Sequence, residues 1–162
     1  MTDMLVPLYG EWGPNPEAQL ICEGIKFKRA LAIDKRPILA FIEQHFMDIC
    51  SGWLDECQAA LYRHPSSCLI ATEGGKVIGF CCYDGTAKGM VGPVGVDPSY
   101  RKRGIATALL HQSFEAMKMD GYAYAVIGWV SSEAFYEKTC KATAIANSFP
   151  GVYQRMVMEH GE

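Results

Sequence analysis

Residues 94–107 read Val-Gly-Val-Asp-Pro-Ser-Tyr-Arg-Lys-Arg-Gly-Ile-Ala-Thr, and this stretch decides the fold. An apolar run ends at Asp97-Pro98, a basic turn follows, and apolar residues then recur at helical spacing from Ala106 to Met117. The pattern predicts a strand, a turn and a helix whose free backbone N–H groups point at one place. Because the helix dipole and residues 101–103 add positive charge there, we expect an anion site of the kind that binds phosphate.

The chain on either side of this stretch alternates between strand and helix patterns. Strands are predicted over 25–31, 67–73, 76–83, 90–96, 122–128, 142–146 and 152–158. Helices are predicted over 34–48, 52–62 and 104–119, and a short one carries Phe135 and Tyr136. Residues 1–22 are rich in Pro, Gly and Trp, and we interpret them as an irregular N-terminal extension to a single domain over 23–162.

Composition excludes several classes of protein. The 162 residues carry a net charge of −3, which argues against nucleic-acid binding, since such proteins present a basic face. No apolar run reaches the roughly 18 residues of a membrane span. The 7 cysteines are scattered without a C-x-x-C pair, and the N-terminus lacks a signal peptide pattern, so we expect free thiols in a reducing cytoplasm and no bound metal.

The segment Arg101-x-x-Gly104-x-Ala106, preceded by Val94-Gly95-Val96, resembles the acetyl-CoA pyrophosphate loop of GCN5-related N-acetyltransferases (GNAT). The predicted order of strands and helices is similar to that family over residues 24–160. The resemblance implies an α/β (α+β) acyl-CoA N-acyltransferase fold. Its mixed, mainly antiparallel sheet has about seven strands flanked by helices, and its fourth and fifth strands, predicted over 90–96 and 122–128, splay apart.

The resemblance implies acetyl-CoA as the acyl donor, held mainly by backbone groups of the loop and of the strand before it. The implied contact residues are Val94, Gly95, Val96, Arg101, Lys102, Arg103, Gly104, Ile105, Ala106 and Thr107. The backbone N–H of Val94 is the expected donor to the oxyanion. The alternative is that the basic residues only solvate a turn and that Gly104 merely starts a helix.

Two side chains are the candidate acid and base. Tyr136 matches the family's usual general acid, which would protonate the leaving thiolate; its alternative role is a core aromatic beside Phe135. Many family members place a glutamate on the fourth strand, but residues 89–94 contain no acid. Asp84 is therefore the predicted base, with a role as a turn residue left open.

The acceptor pocket is predicted to involve four residues distributed along the chain, which are Tyr83, Lys88, His45 and Tyr153. The expected reaction is transfer of an acetyl group to a primary amine of a small molecule or peptide, by direct attack in a ternary complex. The family resemblance also implies a homodimer. It does not identify the amine.

Two other functions remain open at this point. The absence of the strand glutamate is compatible with a non-catalytic acyl-CoA sensor of the same fold. A nucleotide-binding protein could use the same loop, but the chain lacks both G-x-x-x-x-G-K-[ST] and G-x-G-x-x-G.

Overall fold

A computed structural model describes residues 1–158 of the chain. Seven strands and five helices, with short 3₁₀ turns between them, make up the described part. The strands are β1 (Thr2–Pro7), β2 (Lys26–Arg29), β3 (Cys68–Glu73), β4 (Lys76–Tyr83), β5 (Met90–Val96), β6 (Tyr124–Val130) and β7 (Thr143–Ile145). The helices are α1 (Glu17–Cys22), α2 (Lys35–Phe46), α3 (Gly52–Leu61), α4 (Ile105–Met119) and α5 (Glu133–Cys140).

The strands form one mixed sheet in the order β2-β3-β4-β5-β6-β1-β7. Neighbouring strands pair antiparallel except β5 and β6, which are parallel. A parallel pair needs a long crossover, and α4 supplies it. The predicted mixed, mainly antiparallel sheet flanked by helices is confirmed.

Helices cover both faces of the sheet. Alternate residues of β3 point to opposite sides, so Leu69 packs in the same core cluster as Phe114 of α4, while Ile70 packs with Phe41 of α2. One face therefore carries α4, and the other carries α2 and α3. No helix within residues 1–158 is long and apolar enough to cross a membrane.

The N-terminal segment differs from its sequence-based prediction. Residues 2–7 were expected to be irregular, but they form β1, which pairs with β6 on one side and β7 on the other. Met4 and Val6 are fully buried and face the α4 core. The alternation of apolar and polar residues in this strand is short and ends at Pro7. It therefore does not distinguish the strand from the Pro- and Gly-rich sequence that follows.

The C-terminal segment also differs from its sequence-based prediction, because a strand that was expected there is absent. Residues 152–158 were expected to form a final strand, but Gly151–Tyr153 is a 3₁₀ turn and residues 154–158 contain no strand. Within the described chain, β1 occupies the position between β6 and β7, which closes that part of the sheet to another strand.

Strands β5 and β6 pair over a short distance and then separate. Only two residue pairs join them, Met90 with Val126 and Val91 with Ile127. From Gly92 and Gly128 onward the two strands diverge, which confirms the predicted splay. The sheet therefore contains a V-shaped gap whose wide end lies towards the start of α4.

Candidate functional site

The wall of the gap formed by β5 presents unpaired backbone groups. The amide of Asp97 donates to the carbonyl of Ile78 at 2.8 Å, and Gly95 lies opposite Phe80 in the same antiparallel register. Because backbone groups alternate sides along a strand, those of Gly95 face β4 while those of Val94 and Val96 face the gap. Buried backbone groups without a partner are costly, so this edge favours a ligand that pairs with them.

A β-bulge directs β5 away from β6. Cys81 lies opposite Val94 and Tyr83 opposite Val91, so β5 has one residue more than β4 in this interval. Gly92 and Pro93 together lie opposite the single residue Cys82. Gly92 has a φ of 125°, a conformation that favours glycine. The bulge thus positions the Val94 N–H at the narrow end of the gap.

A tight turn leads from β5 into α4. The carboxylate of Asp97 accepts hydrogen bonds from the backbone and the hydroxyl of Ser99, both at 2.8 Å, which fixes the first part of the turn. Gly104 then adopts a φ of 91° immediately before the helix. A Cβ at this position would lie 2.7 Å from Cγ of Pro16, so the N-terminal segment packs directly against the turn.

The first turn of α4 offers free amides. Its first intrahelical bond runs from the Ala108 amide to the Gly104 carbonyl at 3.0 Å. The amides of Ile105, Ala106 and Thr107 therefore have no acceptor within the helix, and the positive end of the dipole lies beside them. This arrangement fits a phosphate or diphosphate group.

The basic side chains of the turn are not equivalent. All three are exposed, but the guanidinium of Arg103 pairs with Glu23 at 2.9 Å and lies 5.5 Å from the ring centre of Tyr100. Arg101 and Lys102 are therefore the side chains free to meet an anion. Ile105 is buried, so only its backbone can take part.

Tyr136 lies on α5, with its ring against the core on the α4 face of the sheet. Burial raises the pKa of this phenol well above its ordinary value, and the nearby thiols of Cys81 and Cys140 raise it further. Cys81 is the β4 residue opposite Val94, which places Tyr136 in the neighbourhood of the gap. The phenol keeps its proton at neutral pH and can donate a hydrogen bond.

Asp84 does not have the geometry of a base. One carboxylate oxygen accepts from the Gly89 amide at 2.7 Å, and the other accepts from the Tyr122 hydroxyl at 2.8 Å with Arg63 at 3.6 Å. Its side chain is 1% exposed. Asp84 therefore holds the loop between β4 and β5 together, which is the turn role that the sequence left open.

A carboxylate that the sequence did not single out lies on α3. Oε1 of Glu56 accepts from the Thr86 hydroxyl at 2.8 Å and from the Tyr153 hydroxyl at 2.5 Å. Burial and the hydrogen bond to Glu56 raise the pKa of Tyr153, so this hydroxyl remains a donor. Both bonds go to Oε1, and within residues 1–158 no hydrogen bond engages Oε2 of Glu56.

Trp129 links this carboxylate to the splayed part of β6. Its ring centre lies 4.5 Å from that of Tyr153, and its indole N–H donates to the Pro150 carbonyl at 2.9 Å. Trp129 has a φ of 49°, and its amide donates to Asp3 at 3.0 Å. Trp129 lies on β6 beyond the last β5–β6 pair. It therefore connects the cluster of Glu56, Thr86, Trp129 and Tyr153 (the Glu56 cluster) to the part of β6 that diverges from β5.

No sequence signal identifies the Glu56 cluster. Thr86 is 30 residues and Tyr153 is 97 residues away from Glu56, so the fold alone brings them together. Of the four predicted acceptor residues, Tyr153 is the one that joins this cluster.

The other three predicted acceptor residues lie apart. Tyr83 is 2% exposed, and its hydroxyl accepts from Arg29 at 2.8 Å, so it belongs to the core rather than to an open pocket. His45 lies 3.8 Å from Asp97 in a surface groove of about 490 Å³ that Tyr100 also lines. Lys88 is exposed in the loop before β5. These residues do not form one site.

Comparison with known proteins gives one family match. Residues 35–141 match the acetyltransferase (GNAT) family, and this range includes the gap, the turn and α5. No curated protein matches the chain.

Solved structures of similar fold are distant in sequence. A GCN5-related N-acetyltransferase from Sphaerobacter thermophilus superposes with a TM-score of 0.65 at 23% identity, over 89% of this chain and 48% of that one. The GCN5-related glucosamine N-acetyltransferase region of a fungal multi-domain GH3 beta-N-acetylglucosaminidase gives 0.71 at 19% identity, over 89% and 19%. A GNAT family acetyltransferase from Brucella melitensis in complex with acetyl-CoA gives 0.58 at 19%, over 76% and 88%.

The lengths of these proteins differ from that of the present chain. It spans less than half of the Sphaerobacter protein and about a fifth of the fungal one. At these identities the likeness establishes the fold.

Proposed function

The chain belongs to the acetyltransferase (GNAT) family, and from this we propose that it transfers the acetyl group of acetyl-CoA to a primary amine of a small molecule or peptide. The observation that carries the proposal is the combination of a V-shaped gap with free amides at the start of α4. Acetyl-CoA is a linear thioester with a diphosphate at its other end. Its thioester arm matches the gap, and its diphosphate matches the free amides at the start of α4.

The donor would be held chiefly by backbone groups. The amides of Ile105–Thr107 would bind the diphosphate, and Arg101 and Lys102 would add charge from the exposed side of the turn. The gap-facing groups of Val94 and Val96 would pair with the amides of the pantetheine arm, as an added strand pairs with a sheet edge.

The Val94 N–H would stabilise the charge that develops on the carbonyl oxygen. The amine nitrogen attacks the thioester carbon, the C–O double bond becomes an oxyanion, and collapse of this intermediate breaks the C–S bond. Removal of one such donor in a related setting costs about 3–4 kcal/mol of barrier. The bulge at Gly92-Pro93 matters because it sets the position of this N–H.

Glu56 would take up the proton that the amine must lose. A primary amine with a pKa near ~10.4 is almost wholly protonated at pH 7, so attack needs an acceptor for that proton. Oε2 of Glu56 is available, while Thr86 and Tyr153 hold Oε1 in place. We therefore assign the role of base to Glu56 in place of Asp84. Glu56 would supply the carboxylate that β5 lacks.

Tyr136 would act on the leaving sulfur. A thiol titrates near ~8.5, so complete proton transfer from a phenol whose pKa is well above ~10 is uphill. The role that fits is hydrogen-bond donation to the sulfur as the C–S bond breaks, with the proton of the attacking amine finally neutralising the thiolate.

The test is an assay of the full chain with acetyl-CoA and a panel of primary amines, in which acetylated amine and free CoA are quantified by mass spectrometry. We expect amine-dependent release of CoA above the hydrolysis background.

Tyr136→Phe should lower turnover by about 100-fold with little change in CoA affinity, whereas Tyr9→Phe, at an exposed site, should match wild type. Tight CoA binding without turnover of any amine would instead indicate an acyl-CoA sensor.

A further inference from the structure

Three cysteine thiols meet inside the core at a place that acetyl transfer does not use. Cys57 lies on α3, Cys68 begins β3, and Cys82 lies near the end of β4. Their sulfur atoms all lie within 4.8 Å of one another, and all three residues are 0% exposed. The sequence did not reveal this cluster because the three residues are scattered along the chain and no C-x-x-C spacing links them.

Rigid elements hold the three sulfurs together. Cys68 and Cys82 are directly opposite each other on adjacent antiparallel strands. The Tyr83 amide donates to the Ser67 carbonyl, so the neighbouring pair is hydrogen-bonded and the Cys68–Cys82 pair is of the closer, non-hydrogen-bonded kind. Cys57 approaches from the helix above them. A trigonal ion with metal–sulfur bonds of about 2.3 Å needs sulfurs about 4 Å apart, which is within reach of this arrangement.

We propose that Cys57, Cys68 and Cys82 form a three-coordinate thiolate site for a soft monovalent cation, Cu(I). Thiolate sulfur selects soft ions such as Cu(I) over hard ones. Structural zinc takes four ligands, but among the described residues no fourth His, Cys, Asp or Glu side chain joins the triad. The surrounding apolar residues, which include Phe80 and Leu61, exclude water as a fourth ligand.

The experiment uses the full chain with Cys22 and Cys50 changed to serine, since these are the thiols that are not buried. The reduced protein is titrated anaerobically with Cu(I) against a chromogenic Cu(I) chelator, once as the folded protein and once during refolding. We expect one tightly bound Cu(I) per chain in at least one of the two protocols, together with a higher melting temperature. Absence of binding in both protocols overturns the proposal.

Variants locate the ion. Cys57→Ala, Cys68→Ala and Cys82→Ala should each weaken Cu(I) binding by at least about 100-fold, since losing a ligand costs at least as much as losing a residue that orients one. Cys81→Ala is the matched control, because Cys81 is equally buried next to Cys82 but packs on the α4 face. Equal binding by the triad variants and by Cys81→Ala overturns the assignment.

X-ray absorption on the parent protein tests the geometry without any core substitution. Three sulfur neighbours at a single short distance are expected. Nitrogen or oxygen neighbours, or only two sulfurs, would contradict the three-thiolate site, and this measurement remains decisive even where a core variant fails to fold.

Discussion

At the scale of single residues, Glu56 and Asp84 show what sequence reasoning can and cannot reach. Asp84 was predicted to be the base because it lies at the end of a strand. In the structure both of its carboxylate oxygens accept hydrogen bonds that hold a loop together. Glu56 lies on a helix with no motif around it, and its partners come from residues 86 and 153. The role of a carboxylate depends on which of its lone pairs the fold leaves free, and spacing along the chain does not record this.

The substitution Glu56→Gln tests the proposed base. Glutamine keeps the size of the side chain but cannot accept the amine's proton, so kcat/KM for an amine should fall by about 100-fold while CoA affinity is retained. The neighbouring Asp55→Asn, at an exposed position on α3, is the control and should leave kinetics unchanged. Equal rates in wild type and Glu56→Gln across the pH range would remove Glu56 from the mechanism.

The turn before α4 can be tested at Gly104. Gly104→Ala and Gly121→Ala introduce the same Cβ at nearly the same φ, 91° and 96°, so each should lose about 1 kcal/mol of stability from the backbone. Only at Gly104 does the Cβ meet another group, Pro16 at 2.7 Å, and force the turn to move. Calorimetry should therefore find CoA affinity reduced at least about 10-fold in Gly104→Ala alone. Equal CoA affinities in Gly104→Ala and Gly121→Ala would show that this turn does not contribute to CoA binding.

At the scale of elements, the strand–turn–helix unit around β5 and α4 was predictable because its signals are local. The apolar run, Asp97-Pro98 and Gly104 all act within a few residues, and α4 ends before Asp120-Gly121 as expected. Strand β1 was not predictable, because its identity depends on partners more than 100 residues away in β6 and β7. Non-local pairing decides a strand, whereas a helix forms its bonds within itself.

If β1 is integral to the sheet, its buried side chains must matter for stability. Met4→Ala should lower the free energy of unfolding by about 2–5 kcal/mol, since Met4 is 0% exposed. Leu31→Ala, at a residue that is 57% exposed, should change it by less than about 0.5 kcal/mol. Chemical denaturation measures the free energy of unfolding of both variants. If Met4→Ala were as stable as Leu31→Ala, residues 1–22 would be an extension that does not stabilise the fold.

At the scale of the whole molecule, several tyrosines make the folded state sensitive to alkali. Burial and the hydrogen bond to Asp84 raise the pKa of Tyr122 to about 12, and burial also raises the pKa of Tyr136 and Tyr153. The unfolded chain releases these protons near ~10, while the folded protein retains them. The stability is therefore fully present below pH ~10 and is lost as pH rises towards the folded-state values.

Tyr122→Phe tests this account. Wild type should lose stability steeply between pH ~10 and ~12, and the variant should show a shallower slope because one of the contributing phenols is absent. Melting temperatures recorded at intervals across that range measure the slope. A variant whose curve runs parallel to that of wild type would show that the Tyr122 phenol titrates alike in both states.

The central claim is that acetyl-CoA lies in the gap between β5 and β6 with its diphosphate on the first turn of α4. A crystal structure of the full chain with acetyl-CoA tests it most directly. We predict diphosphate oxygens about 2.7–3.2 Å from the amides of Ile105–Thr107, with the thioester between Val94 and the splayed end of β6. Electron density for acetyl-CoA elsewhere, such as in the groove lined by His45 and Tyr100, with the gap left empty, would contradict the account.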